Sequence, residues 1–244
     1  MKDLFSVDAS LYAKARPTYP DALISYLLSI TKSFHTLWDV GTGNGQLAAL
    51  LAPYFDQVIA TDISKEQLTN AIQKSNIKYL VQPAESSSFK DQSVDLITIA
   101  QAVHWFDLDK FYNEVKRVLS PNGVIAVVGY PLIKVNEEID RVIDYLHDDI
   151  LGSYWDPECR YLDEHYLTLP FPFKEIPLPS LSSHLEWDFE HLVTFLKTWS
   201  GVRHFINKNS INPLEEIIPM LKNTWGDAQT RTVSFPVIGR IGQL

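Results

Sequence analysis

Leu37-Trp38-Asp39-Val40-Gly41-Thr42-Gly43-Asn44-Gly45-Gln46-Leu47 leads an apolar strand into three alternate glycines and then into a helix. Glycine tolerates positive φ and lets a ligand approach the main chain, while a helix start offers unpaired N–H groups, so the stretch predicts a ligand cradle. Its spacing is G-x-G-x-G rather than the G-x-G-x-x-G of dinucleotide sites, and Asp39 stands two residues before the first glycine. A carboxylate there repels a pyrophosphate and attracts a cation. The next β-rich run, Val58 to Thr61, ends at Asp62, where a neighbouring parallel strand would set an acid against ribose hydroxyls. Two acids around a glycine loop point to a nucleoside without phosphates.

Working outward, short β-rich runs alternate with helical stretches from Thr36 to Tyr130, preceded by a helical face of Leu23, Ile24, Leu27 and Leu28. That alternation predicts right-handed crossovers and a parallel sheet covered on both faces. Ser64 with Gln67 has the form of a capping box, Asp107 is placed to cap the helix carrying Phe111, Val115 and Val118, and Pro121-Asn122-Gly123 supplies a turn. Two loops, Gln82-Pro83-Ala84-Glu85 and Gln101-Ala102-Val103-His104-Trp105-Phe106, would open at the same carboxyl edge as the glycines. Beyond Tyr130 come a helical stretch near 136–151, aromatic and proline-rich sequence to Pro179, two more helices, and a final strand over 230–241. The expected division is a core of 1–133 and 227–244, with a sixth strand near 172–178 also in the sheet, and a cap over 134–226.

The 244 residues suit one domain with an insertion, and 45% hydrophobic with 21% charged residues is ordinary for a globular chain. The formal charge of −9, with no block of Lys or Arg, argues against nucleic acid as a partner. No run approaches the ~18 apolar residues of a membrane span. Acids near Met1 do not resemble a signal peptide, and the lone Cys159 excludes an intrachain disulfide, so a cytoplasmic, reducing setting and no membrane partner are expected. No His, Asp or Glu set has metal-ligand spacing.

These motifs resemble the class I S-adenosylmethionine-dependent methyltransferases, in the small-molecule branch (methyltransferase type 11) that includes trans-aconitate methyltransferases. The match rests on 39–45, Asp62, Ala84-Glu85, Leu119-Ser120-Pro121-Asn122-Gly123, and the lead Tyr12…Arg16-Pro17…Tyr19-Pro20. It implies an α/β, Rossmann-like, doubly wound, mostly parallel seven-stranded sheet with helices on both faces and a helical, aromatic cap. It also implies that Asp39, Gly41, Gly43 and Gly45 border the methionyl part of S-adenosylmethionine and that Asp62 binds the ribose. Ile63 would pack on the adenine, Ala84 and Glu85 would lie at its edge, and Gln101 and Ala102 would flank the sulfonium. Arg16 would meet the cofactor carboxylate and Tyr12 would cover the methyl side. Gln82 departs from the glycine that relatives often carry.

The function expected is methyl transfer to an oxygen, a carboxylate oxygen included, of a small molecule by in-line displacement, leaving S-adenosylhomocysteine. His104 is the candidate base or hydrogen-bond partner, because an ordinary imidazole titrates near neutrality, and Trp105 follows it on the same loop. A polyanionic acceptor would call for cap arginines such as Arg160 or Arg203. Two alternatives use the same residues: an NAD(P)-dependent oxidoreductase, with Asp62 on ribose, and a protein that binds S-adenosylmethionine without chemistry.

Overall fold

The computed structural model describes residues 17–244. Eight strands among them form the sheet: β1 (Thr36–Val40), β2 (Gln57–Asp62), β3 (Ile77–Val81), β4 (Val94–Ala100), β5 (Leu119–Gly129), β6 (Lys174–Ile176), β7 (Leu181–Trp187) and β8 (Arg231–Gln243). The order is β3-β2-β1-β4-β5-β8-β6, with β7 paired to β8 off this path. The first five strands are parallel, and β8 runs antiparallel to β5, β6 and β7. The mostly parallel, doubly wound sheet is therefore as expected, with eight strands rather than seven.

The extra strand is β7. It pairs with Arg231 to Val237, the first half of β8, while the second half of β8 pairs with β5 and β6. One long C-terminal strand thus bridges the main sheet and an added hairpin. Strand β5 also begins earlier than the Pro121 turn suggested. Leu119 already pairs with Val94, and the register shifts before Leu96 meets Val124, so Pro121-Asn122-Gly123 forms an irregularity within the ladder.

Helices cover both faces: α1 (Asp21–Ile30), α2 (Gln46–Leu51), α3 (Lys65–Thr69), α4 (Leu108–Val118), α5 (Glu137–Asp144), α6 (Arg160–Asp163), α7 (Phe189–Lys197), α8 (Ser200–Asn209) and α9 (Leu214–Trp225). Because side chains alternate along a strand, Leu37, Leu96, Val124 and Ala126 join one core while Trp38, Ile97, Ile125 and Val127 join the other. A strand buried on both sides needs apolar residues at consecutive positions, which is why β1 and β4 read as runs rather than alternations. Most helices of 134–226 extend the first core through Ile139, Leu192, Leu196, Ile217 and Trp225. Many cap aromatics are therefore packing groups, Trp187 and Phe189 among them.

Side-chain caps fix several helix starts. Ser64 accepts from Gln67 N at 3.3 Å, Asp107 from Lys110 N at 3.3 Å, Asn136 from Ile139 N at 2.9 Å and Asp188 from His191 N at 2.8 Å. At the other end of the sheet Asp95 accepts the backbone N–H of His35 and Thr36, both at 2.9 Å, satisfying donors at the entry to β1. The strand order reverses between β1 and β4, which opens a crevice at the carboxyl ends of those strands.

Candidate active site

The crevice begins with Asp39 on the buried strand β1. Its register neighbour on β4 is Thr98, whose Oγ1 donates to Asp39 Oδ1 at 2.6 Å, and Thr42 Oγ1 donates to Oδ2 at 2.5 Å. Burial pushes the carboxyl pKa up to about 6, against the hydrogen bonds from Thr42, Thr98 and Ala48 N–H that favour its ionised form. Gly41, Gly43 and Gly45 follow with φ of 64°, 55° and 81°. At Gly41 a Cβ would lie 2.6 Å from Ala102 Cβ, so glycine is what lets the β1 loop reach the β4 loop.

Asp62 ties the loop together. Its Oδ2 accepts from Gly43 N and its Oδ1 from Ser64 N, both at 2.9 Å, while Thr42 N donates to Thr61 O at 3.0 Å. Ile63 is half-buried beside it. After β3, Gln82 N donates to Asp62 O, and the Gln82 side-chain amide nitrogen is buried with no partner among the described residues. Ala84 is buried, and Glu85 Oε1 accepts from Asp107 N at 3.0 Å, joining the β3 and β4 loops. Arg117 steadies this segment: it binds Glu114, Asp91 and Phe89 O, and Glu114 accepts Ser87 N at 2.6 Å.

After β4, Gln101 has φ of 57°, unusual for a non-glycine residue, and is held there by its N–H to Val128 O at 3.0 Å and its Nε2 to Tyr130 O at 2.9 Å. His104 is buried, stacks on Tyr166 with centroids 6.5 Å apart, and has no partner for Nδ1 among the described residues. Burial pushes its pKa down to about 4, so it stays neutral where an ordinary imidazole would titrate.

Between this edge and the 134–226 segment lies a cavity of about 110 Å³. The sheet side contributes Gln101, His104, Trp105, Tyr130, Pro131 and Leu132, and the cap contributes His147, Trp155, Cys159, Leu162, Asp163, Phe195, Trp199 and Ser200. Arg160 lies over the Tyr161 ring at 5.1 Å, and neither it nor Arg203 lines the cavity. Burial and three nearby carboxylates push the Cys159 thiol up to about 12. Of the lining residues, Gln101, His104 and Trp105 are site residues named from the sequence, and Tyr130, His147, Trp155 and Asp163 are not. Tyr12 and Arg16 lie outside the described residues.

Residues 38–127 match the Methyltransferase domain family. A Dictyostelium discoideum protein bearing the name methyltransferase is 34% identical over 96% of this chain and 92% of its own length. This chain belongs to the class I S-adenosylmethionine-dependent methyltransferases. A structure from Anaeromyxobacter dehalogenans, described under the name type II methyltransferase, is 37% identical and superposes with a TM-score of 0.87 over 93% of this chain and 97% of that one. The Saccharomyces cerevisiae protein CRG1, named for S-adenosylmethionine-dependent methyltransferase activity, is 30% identical over 65% of this chain and 59% of its own length. The nicotinamide alternative falls with this assignment, and S-adenosylmethionine is the methyl donor.

The residues present fit that donor. A Cβ at Gly43 would stand in open space, with Gln67 Oε1 at 4.0 Å its nearest neighbour, whereas at Gly41 and Gly45 it would strike Ala102 and Tyr79; Asp39 and Asp62 suit a cationic nucleoside, and the sequence between them has no Lys or Arg to favour phosphate. Among the described residues no group of three or more His, Cys, Asp or Glu side chains could hold a metal, and no helix is long and apolar enough to cross a membrane.

Proposed function

We propose that this methyltransferase methylates an oxygen of an uncharged, ring-bearing small molecule seated in the cavity between the sheet edge and the 134–226 cap. The observation that carries the reading is the lining: Trp105, Tyr130, Trp155, Phe195 and Trp199 offer aromatic faces, Asp163 offers a carboxylate, and among the described residues no Lys or Arg lines it. A carboxylate acceptor would face Asp163 with no arginine or lysine of the described residues to pair with, which favours a hydroxyl over the carboxylate considered from sequence. A polyanion fits worse still.

The bound donor supplies an electrophilic methyl group on a sulfonium. Gly41, Gly43, Gly45 and Asp39 would hold its methionyl part, with Arg16 and Tyr12 at the same end. Asp62 would take the ribose, and Ile63, Ala84 and Glu85 would border the adenine. Gln101 and Ala102, at the strained turn after β4, would set the reacting end beside the cavity. His104, neutral and with an unsatisfied Nδ1, would hydrogen-bond the acceptor, and Trp105 would pack on its ring. Most of the rate then comes from holding oxygen and methyl carbon in line. The net charge argues against nucleic acid, and the lone cysteine accords with a cytoplasmic setting.

Calorimetry with S-adenosylmethionine and S-adenosylhomocysteine tests the cofactor half. Asp62→Ala should weaken both by about 100-fold, the worth of one or two charge-assisted hydrogen bonds. A matched panel of phenols, carboxylates and amines tests the acceptor half. Turnover confined to carboxylates or amines would sink the hydroxyl reading.

A further inference from the structure

The geometry points to His147, a cap residue, as the group that takes the proton from the acceptor hydroxyl. The assignment rests on the hydroxyl-acceptor reading above and deepens it. Helix α5 does not simply end but continues into a π-helical turn, Tyr145–Ile150, closed by Leu151 N to Leu146 O at 3.0 Å. Such turns shift the facing side chains and concentrate at functional sites. Here the turn sets His147 in the cavity wall, with only 12% of its side chain exposed. The Trp155 indole N–H donates to His147 O at 3.0 Å, and its ring lies 4.9 Å from the imidazole, with Trp199 perpendicular at 5.9 Å. The ring is therefore held on two sides.

Its two nitrogens have different surroundings. Nδ1 lies 2.6 Å from Asp148 Oδ1, while Nε2 lies 3.5 Å from Asp163 Oδ1, too long for a good hydrogen bond. The favoured neutral tautomer places the proton on Nδ1, donating to Asp148, and leaves the Nε2 lone pair on the Asp163 side. That is the arrangement of a carboxylate-oriented imidazole base. In the transfer, the hydroxyl proton passes to Nε2 and the oxygen electron pair forms the bond to the methyl carbon. The pair of the broken carbon–sulfur bond remains on sulfur. Asp148 and Asp163 then flank the imidazolium, and Asp148, 71% exposed, leads its proton to water.

His104 is no competitor for this role, because burial keeps it from holding a proton near neutrality. The titratable groups around His147 are Asp148 on its own turn, Asp163 on α6, His104 across the cavity and the protonated Cys159 thiol. Asp163, raised by burial, also feels Glu164 and His165.

The test uses the full chain, the His147→Gln variant and two acceptors, an unactivated phenol and a nitrophenol that ionises by itself near neutrality. The variant should lose about 100-fold or more in kcat/KM on the phenol. Its loss on the nitrophenol should be at least about tenfold smaller, since that oxygen needs no base. Without methyl donor, the visible absorbance of bound nitrophenol should show it ionising at lower pH in the wild type than in free solution, a shift that the variant abolishes. Equal losses on both acceptors, or wild-type binding that leaves nitrophenol ionisation unchanged, would overturn the assignment; the second readout stands even if the variant does not fold. A wild type that methylates amines or carboxylates and no phenol would instead overturn the hydroxyl reading, and the base with it.

Discussion

Asp39→Asn should stabilise the protein without ligand by an amount that grows with pH. The Asp39 carboxyl is wholly buried, with an ordinary value of 3.8 pushed up to about 6. At 1.36 kcal/mol per pH unit, holding it ionised in the fold costs about 3 kcal/mol. An acid raised in the fold stabilises it below the unfolded value, and that contribution is lost as pH rises from 3.8 through about 6. Asn keeps the volume and an acceptor for Thr42 or Thr98 but carries no charge.

The wild-type curve alone would hide this effect. His104 moves the opposite way, from 6.5 down to about 4, so its contribution of about 3 kcal/mol is present at neutral pH and lost as pH falls through the same interval. The two nearly cancel. Subtracting the urea-unfolding free energy of the wild type from that of Asp39→Asn removes His104 and every other shared group. The difference should shift by about 2.5 kcal/mol in favour of Asn between about pH 4 and pH 7.5. A shift below about 0.5 kcal/mol would refute the buried-charge argument.

The same charge should make S-adenosylmethionine affinity of the wild type rise through about pH 6, a dependence that calorimetry should find lost in Asp39→Asn. Gly41→Ala, which would place Cβ 2.6 Å from Ala102 Cβ at a φ of 64°, should cost about 2–4 kcal/mol by urea titration and abolish donor binding. Trp155→Phe removes the donor to His147 O while keeping a ring, so acceptor KM should rise with donor affinity unchanged by calorimetry. His104→Gln should lower acceptor affinity about tenfold without altering the shape of the pH–rate profile between about pH 6 and pH 9, because His104 does not titrate there.

What could be read from sequence had short-range causes. Asp39, the glycines and Asp62 sit within one β-α-β unit, so strand ends and loop chemistry fixed their common edge before any packing was known. Strand β7 was missed because Leu181-Ser182-Ser183-His184-Leu185-Glu186-Trp187 is partly polar and becomes a strand through pairing with the first half of β8, some fifty residues later. Pro121-Asn122-Gly123 makes its turn as an excursion inside strand β5, since Leu119 pairs with Val94 and Val124 with Leu96, which puts the surplus residues on β5 itself.

The acceptor side of the site was illegible for a deeper reason. His104 was visible as an imidazole at a strand end, yet its burial under Tyr166 and the cap reverses the titration that made it attractive as a base. His147 lies in a stretch whose apolar positions Ile139, Val142, Ile143 and Leu146 simply predict helix, and nothing in that spacing announces a π-turn. The proposed cofactor cradle is written in contiguous motifs because backbone conformation builds it. The proposed acceptor pocket is assembled by tertiary packing from residues as far apart as Gln101 and Ser200, so its lining exists only once residues 134–226 have packed against the sheet edge. Relatives that share the cradle can therefore differ in acceptor through cap residues alone, which makes Trp155, Asp163 and Trp199 the positions where a change of substrate should first be sought.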